Sequence, residues 1–275
     1  MTISQVNENP ATSQGKFIKA NGINIYYEEF GSGKPLVLLH GGLGSSTGTR
    51  PVAPALSKHF HIITPDTRGH GKTENPNGEF SYRLLADDLA EFIKRLELDE
   101  PLVCGWSDGG QTALELGMHY PNVTKALVVG AAWHKFSESY QESLRFMGVE
   151  GPGRVNYEQT EKVFPEFVEV LSRIHEPGPN YWKDLLKQIS IMWWTPLGYT
   201  AKDFERIFIP TLILVGDRDP IVPVEEAAEM YRLIPNAELA IAPHTDHGFP
   251  YTDPDTFTTL SLSFLLRHSD TKVAG

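Results

Sequence analysis

Ser107 stands between two glycines in LVCGWSDGGQTALELG, residues 102–117, where an apolar run gives way to a helical pattern. A serine there has two readings. It can cap the helix, because its hydroxyl accepts from first-turn N–H groups. It can also be a nucleophile, since Gly105-Trp106-Ser107-Asp108-Gly109 fits G-x-S-x-G in the required setting, strand before and helix after. So tight a turn forces strained backbone angles on the serine and leaves no room for side chains at 105 and 109. In return the hydroxyl is exposed at the positive end of a helix. The buried strand ahead of it favours the nucleophile.

A serine hydroxyl needs a base to take its proton, and the base needs an acid to orient it. For a nucleophile on such an elbow, the chain order is serine, then acid, then histidine, each on a loop after a later strand. LILVGDRDPIVP supplies Asp217 and Asp219 just past a strand ending at Gly216. AIAPHTDHGFP supplies His244, Asp246 and His247 past the last strand. Asp219 and His247 are the expected pair, because His247 lies deeper in its loop, next to the final helix. His244 reads as a loop histidine, and Asp217 as a residue bonding its own turn.

Attack on a carbonyl creates an oxyanion, which calls for fixed donors. HGGLG (40–44) follows the third strand, where an HGG motif supplies one backbone N–H. Gly42 is expected to donate there, and Asp108 from the residue after the nucleophile. His40 reads as an anchor for this loop rather than a base. Asp66 and Arg68 in DTRGHGKT read as a structural pair rather than catalysts.

The elements that must carry these residues are legible as short apolar runs. KFIKANGINIYYEEFG (16–31) has an Asn-Gly between two alternating stretches, a hairpin signal. PLVLLHG (35–41) is a short apolar run closed by glycine, as a strand buried on both faces reads, and 60–66, 100–105, 125–132, 210–216 and 237–242 repeat the pattern. Helical patterns at 81–98, 108–120, 223–234 and 253–268 alternate with them. The expected class is α/β, a mostly parallel sheet with helices on both faces. The alternation breaks at 134–205, which has helical periods, Gly-Pro punctuation and dense aromatics, among them Trp182, Trp193 and Trp194. The expected organisation is a frayed N-terminus at 1–15, a core of 16–133 and 206–270, and a helical cap at 134–205.

Composition sets outer limits. The chain has 275 residues, 40% hydrophobic, enough for a sizeable core. Its net charge of −11 argues against nucleic acid and against docking on anionic membrane. The single cysteine, Cys104, sits in an apolar run and excludes an intrachain disulfide and any multi-cysteine metal site. The first residues lack a basic and apolar leader pattern, and no run is long enough to span a membrane. The expected setting is cytoplasmic, as a monomer or a homodimer.

These motifs together resemble serine hydrolases of the α/β-hydrolase superfamily over nearly the whole chain. The resemblance rests on HGG at 40–42, D-x-R-G-x-G at 66–71, GWSDGG at 105–110, GDRDPIVP at 216–223 and the His247 loop. GWSDGGQTALELGMHYP is similar to the biphenyl hydrolase-like, or valacyclovir-hydrolase-like, carboxylesterases. That implies an eight-stranded α/β-hydrolase sheet and cofactor-free, metal-free cleavage of small esters. Trp106, Asp108, Leu43, Trp193 and Trp194 are candidates for lining the substrate pocket. Relatives also cleave lactones, amides and carbon–carbon bonds, and some serve as receptors with little turnover. Dehalogenase and epoxide hydrolase relatives would carry Asp in place of Ser107. Asp108 has two readings: it pairs with a cationic group on the acyl side, or it only favours the helix N-terminus.

Overall fold

The computed structural model describes residues 15–269. Most of the expected frayed N-terminus, residues 1–14, and residue 270 at the end of the expected core lie outside the described residues.

The chain opens with a hairpin, β1 (Lys16–Ala20) and β2 (Ile23–Phe30), with Ala20 paired to Ile23. The two-residue turn between them needs positive φ twice, and Asn21 and Gly22 supply 44° and 82°. β3 (Pro35–Leu39), β4 (His61–Pro65), β5 (Leu102–Trp106) and β6 (Ala126–Gly130) follow. A short antiparallel pair comes next, β7 (Val149–Gly151) and β8 (Arg154–Val155). β9 (Thr211–Gly216) and β10 (Ala237–Ala242) complete the main sheet.

That sheet has eight strands in the order β1-β2-β4-β3-β5-β6-β9-β10. Its pairs from β4 to β10 are all parallel, and β1 and β2 join antiparallel. β5, β6 and β9 are buried at every position, which is why they read as unbroken apolar runs. Strand order reverses at β3, which has β4 on one side and β5 on the other. A crevice therefore opens beyond the carboxyl ends of β3 and β5, where such sheets hold their ligands. The loops leaving those two strands carry Gly41–Leu43 and Ser107.

The helix Tyr82–Arg95 is capped by the Ser81 hydroxyl, which accepts from Leu84 N–H at 3.1 Å. It lays Leu85, Leu89, Phe92 and Ile93 on the core. The helix Asp108–His119 is buried along nearly its whole length behind the sheet crevice. Val224–Leu233 and Pro254–Ser269 complete the frame around β9 and β10.

Between β6 and β9 lie five helices, Glu138–Phe146, Tyr157–Val163, Pro165–Ile174, Tyr181–Trp193 and Ala201–Phe204. The β7–β8 hairpin is the departure from an all-helical reading of this segment. Its strands are too short to show a period, and Gly148 and Gly153, at φ 89° and 67°, set its turns.

Candidate active site

Ser107 sits in the turn from β5 into the helix Asp108–His119 with φ 56° and ψ −120°. That conformation costs on the order of 1–3 kcal/mol in a non-glycine residue and persists only where packing enforces it. The enforcement is visible on both sides. A Cβ on Gly105 would lie 2.1 Å from the Gly109 carbonyl oxygen, and one on Gly109 2.5 Å from the Leu39 carbonyl oxygen. The Ser107 N–H is tied to the Gly130 carbonyl at 2.8 Å. Its hydroxyl makes no capping bond to the helix.

The hydroxyl is instead 2.9 Å from His247 Nε2. His247 Nδ1 is 2.7 Å from Asp219 Oδ2. A carboxylate can only accept, so the imidazole proton belongs on Nδ1 and Nε2 is free to accept from Ser107. Asp219 is locked in turn, its Oδ1 accepting from the N–H groups of Ile221 at 2.8 Å and Val222 at 3.0 Å. The Asp219 side chain is fully buried, whereas that of His247 keeps 21% of its surface exposed. Such a chain of bonds can move a proton off the serine and hold the resulting imidazolium.

Gly42 and the Asp108 side chain lie against each other. A Cβ on Gly42 would be 2.5 Å from Asp108 Oδ2 and 2.7 Å from Trp193 Cζ2. Asp108 is the first residue of its helix, where backbone N–H groups lack intrahelical acceptors. Its carboxylate does more than complement the helix end. It accepts from the Tyr82 hydroxyl at 2.7 Å and from Trp193 Nε1 at 3.0 Å. Burial pushes its carboxyl up to about 6, with those two donors and His247 pulling the other way. Tyr82 escapes sequence reasoning because it also reads as an ordinary core position of its helix.

The remaining candidates fall in different places. Trp106 is buried, with its indole N–H donating to the His247 carbonyl at 3.0 Å and its ring against Phe249 and Phe257. Leu43 is buried at φ 61°. Trp193 reaches Asp108, while Trp194 packs on Phe136 and beneath Arg145. His40 holds its loop, Nδ1 donating to the Gly41 carbonyl at 2.8 Å and Nε2 accepting from Thr67 N–H at 3.0 Å. Asp66 and Arg68 do not pair with each other, which corrects the sequence reading. Arg68 forms a two-pronged bond to Asp88 at 2.7 Å, and Asp66 accepts from the N–H groups of Ser46 and Lys72. Asp217 reaches across to Thr245 N–H at 3.3 Å rather than its own turn, and His244 lies beside Arg218. Cys104 is buried, its thiol pushed up to about 12. Among the described residues, no three His, Cys, Asp or Glu side chains converge to hold a metal ion.

With this fold and site, the sequence model of the alpha/beta hydrolase family matches residues 36–260. The chain belongs to the alpha/beta hydrolase family. Its relatives include 2-hydroxy-6-oxo-6-(2'-aminophenyl)hexa-2,4-dienoic acid hydrolase of Metapseudomonas resinovorans, 30% identical over 93% of this chain and 92% of that one. Serine hydrolase BPHL of Homo sapiens is 26% identical over 90% of this chain and 85% of that one. Among solved structures, a thermophilic esterase from Thermogutta terrifontis superposes with a TM-score of 0.75 at 24% identity, covering 93% of this chain and all of that one. That last likeness speaks for the fold alone. No described helix of this hydrolase is long and apolar enough to cross a membrane.

Proposed function

We propose that this hydrolase cleaves small carboxylic esters through an acyl-enzyme on Ser107, without a cofactor. The observation that carries the reading is the chain Ser107 Oγ–His247 Nε2 at 2.9 Å and His247 Nδ1–Asp219 Oδ2 at 2.7 Å, built on a strained serine. Ser107 attacks the carbonyl carbon as His247 takes its proton, and Asp219 holds the imidazolium. The Gly42 and Asp108 N–H groups receive the oxyanion. His247 then gives the proton to the leaving alcohol. Water, activated by the same imidazole, attacks the acyl carbon and frees Ser107. The segment 134–205 serves as a cap, with Trp193 at the pocket.

Asp108 supports a finer reading, an ester whose acyl portion carries a cation. A carboxylate buried beside Gly42 attracts an ammonium group and repels an anion, and the low local dielectric strengthens both effects. The Metapseudomonas relative is named for an acid substrate. A carbon–carbon hydrolase of that kind shares the serine chemistry, but here an anionic substrate would meet Asp108. The test is a matched panel of p-nitrophenyl acetate and butyrate, an α-amino ester and its uncharged isostere, and a dienoic acid. Ester turnover with preference for the α-amino ester is the expected result. Turnover of the dienoic acid alone would overturn the ester reading, and tight binding with no turnover would point to a receptor.

A further inference from the structure

Leu43 follows Gly42 directly, and it is held at both ends by histidines. Its N–H donates to His70 Nε2 at 3.2 Å, and its carbonyl lies 3.0 Å from His175 Nε2. The ring protons follow from the other nitrogens. His70 Nδ1 is 2.8 Å from the Arg68 carbonyl and must donate there, which leaves Nε2 to accept. His175 Nδ1 accepts from Gly71 N–H at 3.0 Å, so its proton is on Nε2 and points at Leu43.

His175 does not come from the sheet loops. It follows the helix Pro165–Ile174, between β6 and β9. Its neighbour Glu176 donates its N–H to the Gly71 carbonyl at 2.9 Å, and the Tyr181 hydroxyl donates to the Gly69 carbonyl at 3.0 Å. The 66–71 loop thus forms a bridge on which this segment is seated. From this seat the His175 side chain passes beyond the bridge to the Leu43 carbonyl.

Leu43 needs such a hold. Its φ of 61° is left-handed, a conformation that costs a residue with a Cβ roughly 1–2 kcal/mol. Freed of its ties, the Leu43 backbone gains by relaxing toward negative φ, a rotation that acts on the Gly42–Leu43 peptide, next in the chain to the one carrying the Gly42 N–H. An oxyanion donor is effective only within about 2.7–3.1 Å of the charge it meets.

We propose that His175 is a positioning residue for the oxyanion loop, reaching from the β6–β9 segment to fix the Leu43 peptide and thereby aim the Gly42 N–H. This rests on the ester-hydrolase reading for its kinetic consequence, but the hold on the loop stands apart from it. Burial pushes its imidazolium down to about 4, so the ring is neutral at neutral pH, and the Gly71 N–H on Nδ1 sets its tautomer.

Two substitutions separate the bonds. In His175→Asn the amide oxygen can still take the Gly71 N–H but falls short of Leu43. In His175→Gln the longer amide can reach Leu43. Amide hydrogen exchange over residues 41–44 should quicken at least tenfold in the Asn variant, and kcat should fall roughly tenfold to a hundredfold with KM nearly unchanged, as misplacement by ångström fractions does. The Gln variant should stay within about threefold of the unaltered enzyme. Wild-type exchange and kcat in the Asn variant would overturn the proposal, as would a raised KM with kcat retained. Should the Asn variant not fold, histidine ¹⁵N NMR of the unaltered chain decides: a protected His175 Nε2–H that shifts on adding a trifluoromethyl ketone supports the hold, and the opposite tautomer overturns it. If the unaltered chain turns over no ester, the functional reading falls, while loop exchange still decides the role of His175.

Discussion

The indole N–H of Trp106 donates to the backbone carbonyl of His247 at 3.0 Å, so the residue before Ser107 holds the histidine bonded to its hydroxyl. Trp106 is the last residue of β5, and His247 lies in the loop that follows β10. Packing of Trp106 against Phe249 and Phe257 fixes the ring, and the ring fixes the register between the two segments. Trp106→Phe keeps most of that packing and strands one carbonyl, a loss of about 1–3 kcal/mol. The expected outcome is a variant with lowered Tm and kcat down several-fold, with KM little changed, read by steady-state kinetics and thermal melts. A raised KM alone would return Trp106 to the pocket wall.

Asp219→Asn tests the acid. Its amide oxygen can still accept from Ile221 and Val222, which keeps the loop formed. The amide nitrogen then favours the wrong imidazole tautomer, and kcat should drop by roughly ten-thousand-fold. A loss under tenfold in single-turnover assays would remove Asp219 from the mechanism.

Asp108 gives a pH signature. Its carboxyl titrates near 6, so the carboxylate is present above that pH and is lost below it. Attraction for a cationic ester therefore grows as pH rises through about 6. The ratio of kcat/KM for an α-amino ester whose ammonium stays protonated over the range to that for its neutral isostere should rise through this window. Taking the ratio cancels the contribution of His247. The same ratio should be flat in Asp108→Asn. A flat ratio in the unaltered enzyme would leave Asp108 as a ligand of Tyr82 and Trp193 only.

The elbow predicts a sharp intolerance. In Gly105→Ala the new methyl would stand 2.1 Å from the Gly109 carbonyl oxygen, a backbone atom that cannot swing away. The expected cost is on the order of 4 kcal/mol, at the upper end for single substitutions, measured by denaturant unfolding. A cost below 1 kcal/mol would mean the turn is slack and the strain at Ser107 is not enforced.

How much of this was legible in the sequence follows from where the information lies. The strands read well because burial on both faces leaves unbroken apolar runs, and Asn21-Gly22 names its own turn. Ser107, Asp219 and His247 were identifiable because each follows a strand in a fixed chain order. The closeness of those three, by contrast, is set by the strand order β3-β5-β6-β9-β10, which no local pattern encodes. The partner of Arg68 is hidden from the sequence for the same reason. Its partner, Asp88, faces it from a helix, while the nearer acid in sequence, Asp66, is consumed by backbone N–H groups. Tyr82, His70 and His175 left no signal, since their roles exist only once distant segments are in contact. The β7–β8 hairpin is invisible in the sequence because a two- or three-residue strand cannot display alternation.

The most direct test of the central claim is intact-protein mass spectrometry of the enzyme quenched in acid during turnover of p-nitrophenyl butyrate, beside Ser107→Ala. A butyryl adduct mapped to Ser107, formed in the burst phase and absent from the variant, is the predicted result. An unmodified Ser107 during sustained Ser107-dependent turnover, or an adduct on another residue, would contradict the acyl-enzyme account.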